Sequence, residues 1–269
     1  MDQDVLANAV ALNGAIFNFS SFVGYALSGL LIATIGAGGT MMVNALSYLA
    51  TIAALLAIHV PDIRHDTQHA PLKTAWLEGI VALLKQPTVL ATIALMAVVG
   101  GLAWPVFGMM PAFAKEVLHT GSVGLGFLLA AGALGSVIGT VVVARLGRHR
   151  RGRSLMVASL VLPVLVILFA QSTTMARACL LLVGIGLALL LVQSLAITLV
   201  QVNTPNRIRG RVMTVYSMTH AGADTVSNAA VGWLAQRLTL PLALTASGAV
   251  ALLFAVLVAV FLPSARRLD

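Results

Sequence analysis

Two ionisable residues with a helical spacing, His220 and Asp224, lie in the middle of an apolar stretch of this 269-residue chain. Side chains four positions apart meet on one face of a helix, so the imidazole and the carboxylate can each set the proton affinity of the other. Asp224 is the only acidic residue deep within any such stretch, and a carboxylate at the centre of a lipid bilayer costs about 2.5–3.5 kcal/mol. The pair indicates either a proton-coupling or substrate-contacting site or a structural contact inside a helix bundle.

The pair is part of a polar stripe. At about 100° per residue, five side chains of this stretch fall within an arc of about 100° on a helix: Ser217, His220, Asp224, Ser227 and Asn228. Further candidates for substrate contact lie in other apolar stretches, namely Asn18, Gln193 and Trp104. For these three side chains, the alternative role is hydrogen bonding or packing between helices.

Metal, cofactor and enzyme chemistry find little support in the sequence. Residues 59–69 contain three His and two Asp, but their spacing matches no compact zinc signature, and Pro61 breaks any helix that would align them. The chain has no His-Glu-x-x-His, no Gly-x-Ser-x-Gly and no phosphate-binding Gly-x-x-x-x-Gly-Lys loop. We predict no metal, no cofactor and no enzyme activity.

Eight long apolar stretches must position these candidates. Each is close to the ~20 residues that a helix needs to cross a ~30 Å hydrocarbon layer. They cover residues 10–35, 40–60, 88–110, 122–144, 154–170, 178–200, 212–235 and 241–262. A composition of 59% hydrophobic and 9% charged residues, with a mean hydropathy of +1.01, is typical of a membrane protein. The expected fold is an all-α integral membrane protein with eight transmembrane helices.

The basic residues predict the orientation of these helices. Of the 16 Lys and Arg residues, only Lys115, Arg177 and Arg237 fall in the loops on one side of the alternating series, and the other thirteen fall on the opposite side. By the positive-inside bias, the thirteen-residue side is cytoplasmic. Both termini are therefore predicted to face the cytoplasm. The membrane orientation of the helices and the attraction of basic loops to anionic lipid account for the excess of Lys and Arg. We therefore expect no nucleic-acid partner.

The chain also contains a weak internal repeat. A shift of 203 residues aligns the first two stretches with the last two, and it pairs Gly24 with Ser227 and Gly29 with Gly232. Parallel repeats of this kind relate the two halves of many transporters. Residues 88–269 then form a complete six-helix half, and residues 1–60 form the last two helices of the half before it. Four helices are expected to be missing, and a separately encoded polypeptide could supply them.

Residues 61–87 link the two halves. Within them, residues 72–85 place Leu72, Trp76 and Ile80 on one face with the lysines off it. This pattern predicts an amphipathic helix on the cytoplasmic membrane surface.

Three stretches, at 6–13, 123–135 and 204–212, give the chain a wider resemblance. With the spans and the repeat, they resemble helices five to twelve of the major facilitator superfamily, in its bacterial exporter-like branch similar to the enterobactin exporter. The 204–212 stretch, which contains Arg209, Gly210 and Arg211, is the most specific of the three.

Two superfamily motifs are matched in part. The cytoplasmic loop pattern acidic-basic-x-Gly-basic-basic is met by Arg145, Gly147 and Arg148, but Ala144 replaces the acid that completes an ion-pair latch. The resemblance implies a gating latch, and the physical alternative is a basic anchor at the inner leaflet. The fifth-helix exporter pattern Gly-Pro-x-x-Gly-Gly is met by Gly24 and Gly29, with Tyr25 in place of proline.

Small residues have a second explanation, because they let helix backbones approach closely. This explanation applies to Gly24 and Gly29 and also to the pair Gly135 and Gly139. An export-specific hinge at Gly24 and Gly29 is the alternative.

The resemblance implies a proton-coupled efflux transporter of the bacterial inner membrane. Its partners would be membrane lipid, protons and a small amphipathic substrate of the siderophore or drug type. Alternating access needs two halves that move around a central site. The alternative is therefore a non-transporting fragment, or a part that acts only with the polypeptide that supplies the missing helices.

Overall fold

The regular structure of the described residues is entirely helical, which confirms the all-α prediction. The computed structural model describes residues 3–57, 83–84, 86–146 and 151–261. In the first helix, the described side chains are those from residue 34 onward and a few before it. The predicted amphipathic helix of the linker lies almost wholly outside the described residues.

Ten α-helices and one π-helical turn follow one another along these residues. They are α1 (Gln3–Ala57), α2 (Pro87–Leu95), the π-turn (Met96–Gly100), α3 (Gly101–Ala103), α4 (Pro105–Gly108), α5 (Met110–Glu116), α6 (Ser122–Arg145), α7 (Arg151–Ala170), α8 (Met175–Asn203), α9 (Asn206–Arg237) and α10 (Leu240–Phe261). We call the segment from Pro87 to Glu116 the broken helix, because it contains α2, the π-turn and α3 to α5.

Six helical segments of the described part are long and apolar enough to cross a membrane. They are Thr34–Ala57, Pro87–Gly108, Ser122–Arg145, Arg151–Ala170, Met175–Asn203 and Leu240–Phe261. The chain is therefore a multi-pass membrane protein. Helix α9 has 32 residues but is not one of the six, and it carries the polar stripe in its middle and Arg209 and Arg211 near its start.

A single glycine divides α1 at the predicted boundary between the first two apolar stretches. Gly36 has φ 73° and ψ 174°, a conformation that glycine adopts without a Cβ clash. Gly24 and Ser28 on one side of Gly36 and Thr40 and Asn44 on the other line the same cavity of about 430 Å³. The two limbs of α1 therefore approach one another across Gly36.

The third apolar stretch forms the broken helix rather than one continuous helix. Pro105 and Pro111 each lack the N–H that an α-helix needs at that position, and the π-turn adds a further irregularity before them. The carbonyl of Leu102 accepts a hydrogen bond from the Ser247 hydroxyl of α10. Irregular backbone within a membrane span is thus supported by a neighbouring helix.

The closest helix packing joins α6 to α8. A Cβ on Gly135 would collide with the Val183 carbonyl, and a Cβ on Gly186 would collide with the Gly132 carbonyl. The contact at Gly139 is close but looser, because a Cβ there would lie 3.0 Å from Cδ2 of Leu190 and 3.2 Å from the Leu187 carbonyl oxygen. The prediction that Gly135 and Gly139 mediate close helix packing is confirmed.

Candidate functional site

Helix α9 brings His220 and Asp224 together. Nδ1 of His220 lies 3.2 Å from Oδ2 of Asp224, and the two side chains are 30% and 21% exposed. The contact follows from the four-residue spacing on a continuous helix. A half-buried imidazole and carboxylate at this distance can share one proton or attract a cationic group.

Two further residues extend the pair at the same four-residue spacing. The ring of Tyr216 lies 6.4 Å from that of His220, and Asn228 donates a hydrogen bond of 2.8 Å from Nδ2 to the backbone carbonyl of Asp224. We call these four side chains, Tyr216, His220, Asp224 and Asn228, the ladder. Tyr216 was not among the sequence candidates, although its position one turn before His220 is a signal that could have identified it.

Tyr216 connects the ladder to α8. The Tyr216 side chain is buried, and its hydroxyl donates to the backbone carbonyl of Gln193 at 3.5 Å. The predicted candidate Gln193 is therefore adjacent to the ladder, but the contact uses its main chain rather than its amide.

The polar stripe divides into a packed part and an open part. A Cβ on Gly108 would collide with Oδ1 of Asn228, and a Cβ on Gly101 would lie 3.4 Å from Oγ of Ser227. Ser227 and Asn228 therefore pack against the broken helix. Ser217 is exposed, as are Ala221 and Thr225 beside the ionisable pair. Only the Ser217, His220 and Asp224 part of the stripe remains open.

An apolar cavity of about 410 Å³ lies against α9 on the face opposite the open part of the stripe. Its walls come from the end of the linker, from the start of the broken helix and from α9, and they include Leu84, Ile93, Val215, Met218 and Thr219. Met218 and Thr219 directly precede His220 in the chain. At about 100° per residue, however, Val215, Met218 and Thr219 point roughly 180° away from His220 and Asp224, so the cavity and the ionisable pair are on opposite faces of α9.

Trp104 lies on the broken helix and not in the ladder. Its side chain is 38% exposed, and its ring packs at 5.9 Å, tilted by 48°, on the ring of Phe107. The side chain of the candidate Asn18 lies outside the described residues.

The candidates for gating or packing are described only in part. Arg145 is the last residue of α6 and is exposed, whereas Gly147 and Arg148 lie outside the described residues. Gly24 has open space where a Cβ would be, and the surroundings of Gly29 are not among the described side chains.

The basic start of α9 is held against the end of α8. Nη2 of Arg209 donates to the Thr204 carbonyl at 3.2 Å, and Arg211 also lies in this first part of the helix. Gly210, between the two arginines, has open space where a Cβ would be.

A family profile matches nearly the whole chain. The family is described as "transmembrane secretion effector", and the match covers residues 1–268.

Two curated relatives show the same similarity. The chain is 28% identical over 270 residues to the multidrug efflux pump Tap of Mycolicibacterium fortuitum. This alignment covers 98% of the chain and 65% of the relative. It is also 28% identical over 266 residues to the enterobactin exporter EntS of Shigella boydii serotype 18. This second alignment covers 98% of the chain and 63% of the relative. The chain thus spans less than two thirds of the length of these relatives.

Proposed function

Because the chain belongs to the transmembrane secretion effector family of the major facilitator superfamily, we propose that it forms part of a secondary transporter that exports a small amphipathic molecule in exchange for protons. The names of the two relatives, a multidrug efflux pump and an enterobactin exporter, support export as the direction and a siderophore or drug type of substrate. The protein acts as a transporter and not as an enzyme.

The observation that carries this proposal is the His220–Asp224 contact in the open part of the stripe. The open part of the stripe, with Ser217, contacts the polar part of the substrate. The ionisable pair binds a proton in one orientation of the carrier and releases it in the other. Asn18, Gln193 and Trp104 are further contacts to substrate in the assembled carrier.

Transport requires more helices than the apolar stretches of this chain provide. We assign residues 1–60 to the end of the first half, residues 61–87 to a cytoplasmic linker and residues 88–269 to a complete six-helix half, with eight membrane crossings in all. The internal repeat and the greater length of the relatives support four further helices in the working carrier. These helices belong either to the same protein or to a separate polypeptide, which would then be a partner of the chain.

Two basic clusters anchor helix ends in the proposed carrier. Arg145 is the last residue of α6, Gly147 and Arg148 follow it in the sequence, and Arg209, Gly210 and Arg211 lie at the start of α9. Both clusters hold helix ends at the inner leaflet of the bacterial inner membrane. A packing or hinge role of Gly24 and Gly29 depends on the helices that complete the carrier, because Gly24 has open space where a Cβ would be.

Cysteine labelling in intact cells tests the predicted orientation. Thr173 and Pro205 are exposed residues in the loops that flank α8, and the native Cys179 is replaced by Ala to remove the background. We expect Thr173→Cys to react with a membrane-impermeant maleimide added outside the cell and Pro205→Cys to react only after the cells are opened. Labelling of Pro205→Cys from outside would overturn the orientation with cytoplasmic termini.

An efflux assay tests the function itself. Cells that express the chain together with four helices that complete its first half are loaded with a fluorescent amphipathic dye. We expect them to retain less dye than cells with an empty vector, and we expect a protonophore to abolish the difference. Export by the chain alone would contradict the need for further helices, and protonophore-resistant export would contradict proton coupling.

A further inference from the structure

A second cavity lies away from α9, between α6, α7 and α8. It has a volume of about 490 Å³, and most of its walls are aliphatic side chains such as Val157, Val161 and Leu187. Its polar side chains, Arg153 and Ser154, belong to the first turn of α7. The lining of α7 continues from Arg153 to Val161, eight residues later, so the cavity extends about 12 Å along that helix. It is polar at one end and apolar along the rest.

The polar end is positively charged and lacks acidic neighbours in the three helices. Arg145 directly precedes the lining residue Leu146, and Arg151 lies two positions before Arg153. Residues 117–223, which include α6, α7 and α8, contain no Asp or Glu. Arg153 and Arg145 are both exposed, so their guanidinium groups are accessible to an anion from outside the protein.

All three helices of the cavity are apolar enough to span a membrane, so lipid is the medium that surrounds them. The predicted orientation places the arginine end at the cytoplasmic leaflet, where anionic lipids are enriched. A cationic or neutral amphipathic substrate does not match this arginine cluster. A phospholipid matches both ends, because its phosphate accepts hydrogen bonds from arginine and its acyl chain fits an aliphatic wall.

We propose that the cavity between α6, α7 and α8 is a binding site for one anionic phospholipid, with the phosphate at Arg153 and Ser154 and an acyl chain along Val157, Val161 and Leu187. The site is separate from the ladder and from the apolar cavity at α9. The lipid fills the space between the three helices and holds the start of α7 at the inner leaflet.

Lipid titrations of the purified full chain in detergent, followed by native mass spectrometry, test this site. The probes are phosphatidylglycerol, phosphatidylcholine with the same acyl chains, and glycerol 3-phosphate, which has a headgroup but no chain. We expect phosphatidylglycerol to bind at least about tenfold more tightly than phosphatidylcholine, because phosphatidylglycerol has a net negative charge, whereas the choline cation of phosphatidylcholine offsets its phosphate and is repelled by the arginines. Glycerol 3-phosphate should not bind measurably.

Two variants and a matched control locate the binding. Arg153→Gln should weaken phosphatidylglycerol binding by about tenfold, since it removes the charge from an exposed side chain without changing the core. Val157→Trp fills the aliphatic wall and should weaken the binding of both lipids. Arg177→Gln is the control, because Arg177 is also an exposed arginine at the third position of a helix but lies at the opposite end of the bundle.

The control variant should retain its affinity for phosphatidylglycerol within roughly twofold, as is usual for surface substitutions. Equal affinity of Arg153→Gln and the unmodified chain would overturn the proposal. So would an equal loss in Arg177→Gln, equal affinity for the two lipids, or glycerol 3-phosphate binding as tight as that of the intact lipid.

Discussion

Replacing Asp224 by Asn is expected to abolish proton-driven export in the completed carrier. Asparagine keeps the shape and hydrogen-bonding capacity of aspartate but cannot bind and release a proton. The hydrogen bond from Asn228 goes to the backbone carbonyl of Asp224, so the substitution leaves this part of the ladder intact. A structural contact would therefore survive the change, and a proton site would not.

The measurement uses inverted membrane vesicles that contain the chain and the four helices that complete it. We expect substrate uptake driven by a pH gradient to fall to background in Asp224→Asn, while substrate binding changes by a few-fold at most. Removal of the carboxylate also relieves an insertion cost of about 2.5–3.5 kcal/mol. The variant should therefore be at least as stable as the unmodified chain. Full proton-driven transport by Asp224→Asn would leave the ladder as a structural feature.

His220→Gln tests the role of the second member of the pair, and Thr225→Ser is its control. Glutamine keeps a polar side chain at the position, but it removes the imidazole that lies 3.2 Å from the Asp224 carboxylate. We expect export to persist with a shifted pH dependence. Thr225→Ser, on the exposed side of the same helix, should leave the pH profile unchanged.

Much of the helical order could be predicted because it depends on local properties of the chain. The apolar stretch at 178–200 lies within α8, and the stretch at 122–144 ends one residue before α6 does. The break at Gly36 falls between the first two predicted stretches. The His220–Asp224 contact was also predictable, because a four-residue spacing on a helix determines it without any reference to a neighbour.

Contacts between helices could not be predicted in this way. The hydrogen bonds from Tyr216 to the Gln193 carbonyl and from Ser247 to the Leu102 carbonyl depend on the rotation and depth of whole helices. Hydropathy describes which residues are apolar, but it does not say which helix each face meets. For the same reason, the sequence showed one polar stripe, whereas Ser227 and Asn228 pack against the broken helix and His220 stays open.

The second large effect is expected at Gly186, where α8 touches α6. A Cβ at this position would collide with the Gly132 carbonyl oxygen and would lie 2.9 Å from the Gly132 carbonyl carbon and 3.2 Å from the Ser136 nitrogen. These are backbone atoms, so no change of rotamer can relieve the collision. The two helices must separate, and the hydrogen bond of 3.3 Å from Ser136 to the Gly186 carbonyl is then lost.

Gly186→Ala should therefore destabilise the chain by about 1–3 kcal/mol, as overpacking of a close contact usually does. The matched control is Gly184→Ala on the same helix, where a Cβ would lie 3.1 Å from Cδ1 of Leu165, the end of a flexible side chain. In Gly222→Ala the new methyl group enters open space, and the better helix propensity of alanine should stabilise α9 by roughly 0.5–1 kcal/mol.

Thermal unfolding in detergent, followed through the reaction of Cys179 with a fluorogenic maleimide, measures all three variants. Cys179 is the single cysteine of the chain and is half-buried in α8, so its reactivity increases when α8 leaves the bundle. We expect a melting temperature lower by on the order of 5 °C for Gly186→Ala, little change for Gly184→Ala and an equal or higher value for Gly222→Ala. If Gly186→Ala melted at or above the temperature of the unmodified chain, α6 and α8 could not pack through their backbones, and the close approach at Gly135 and Gly139 would lose its support as well.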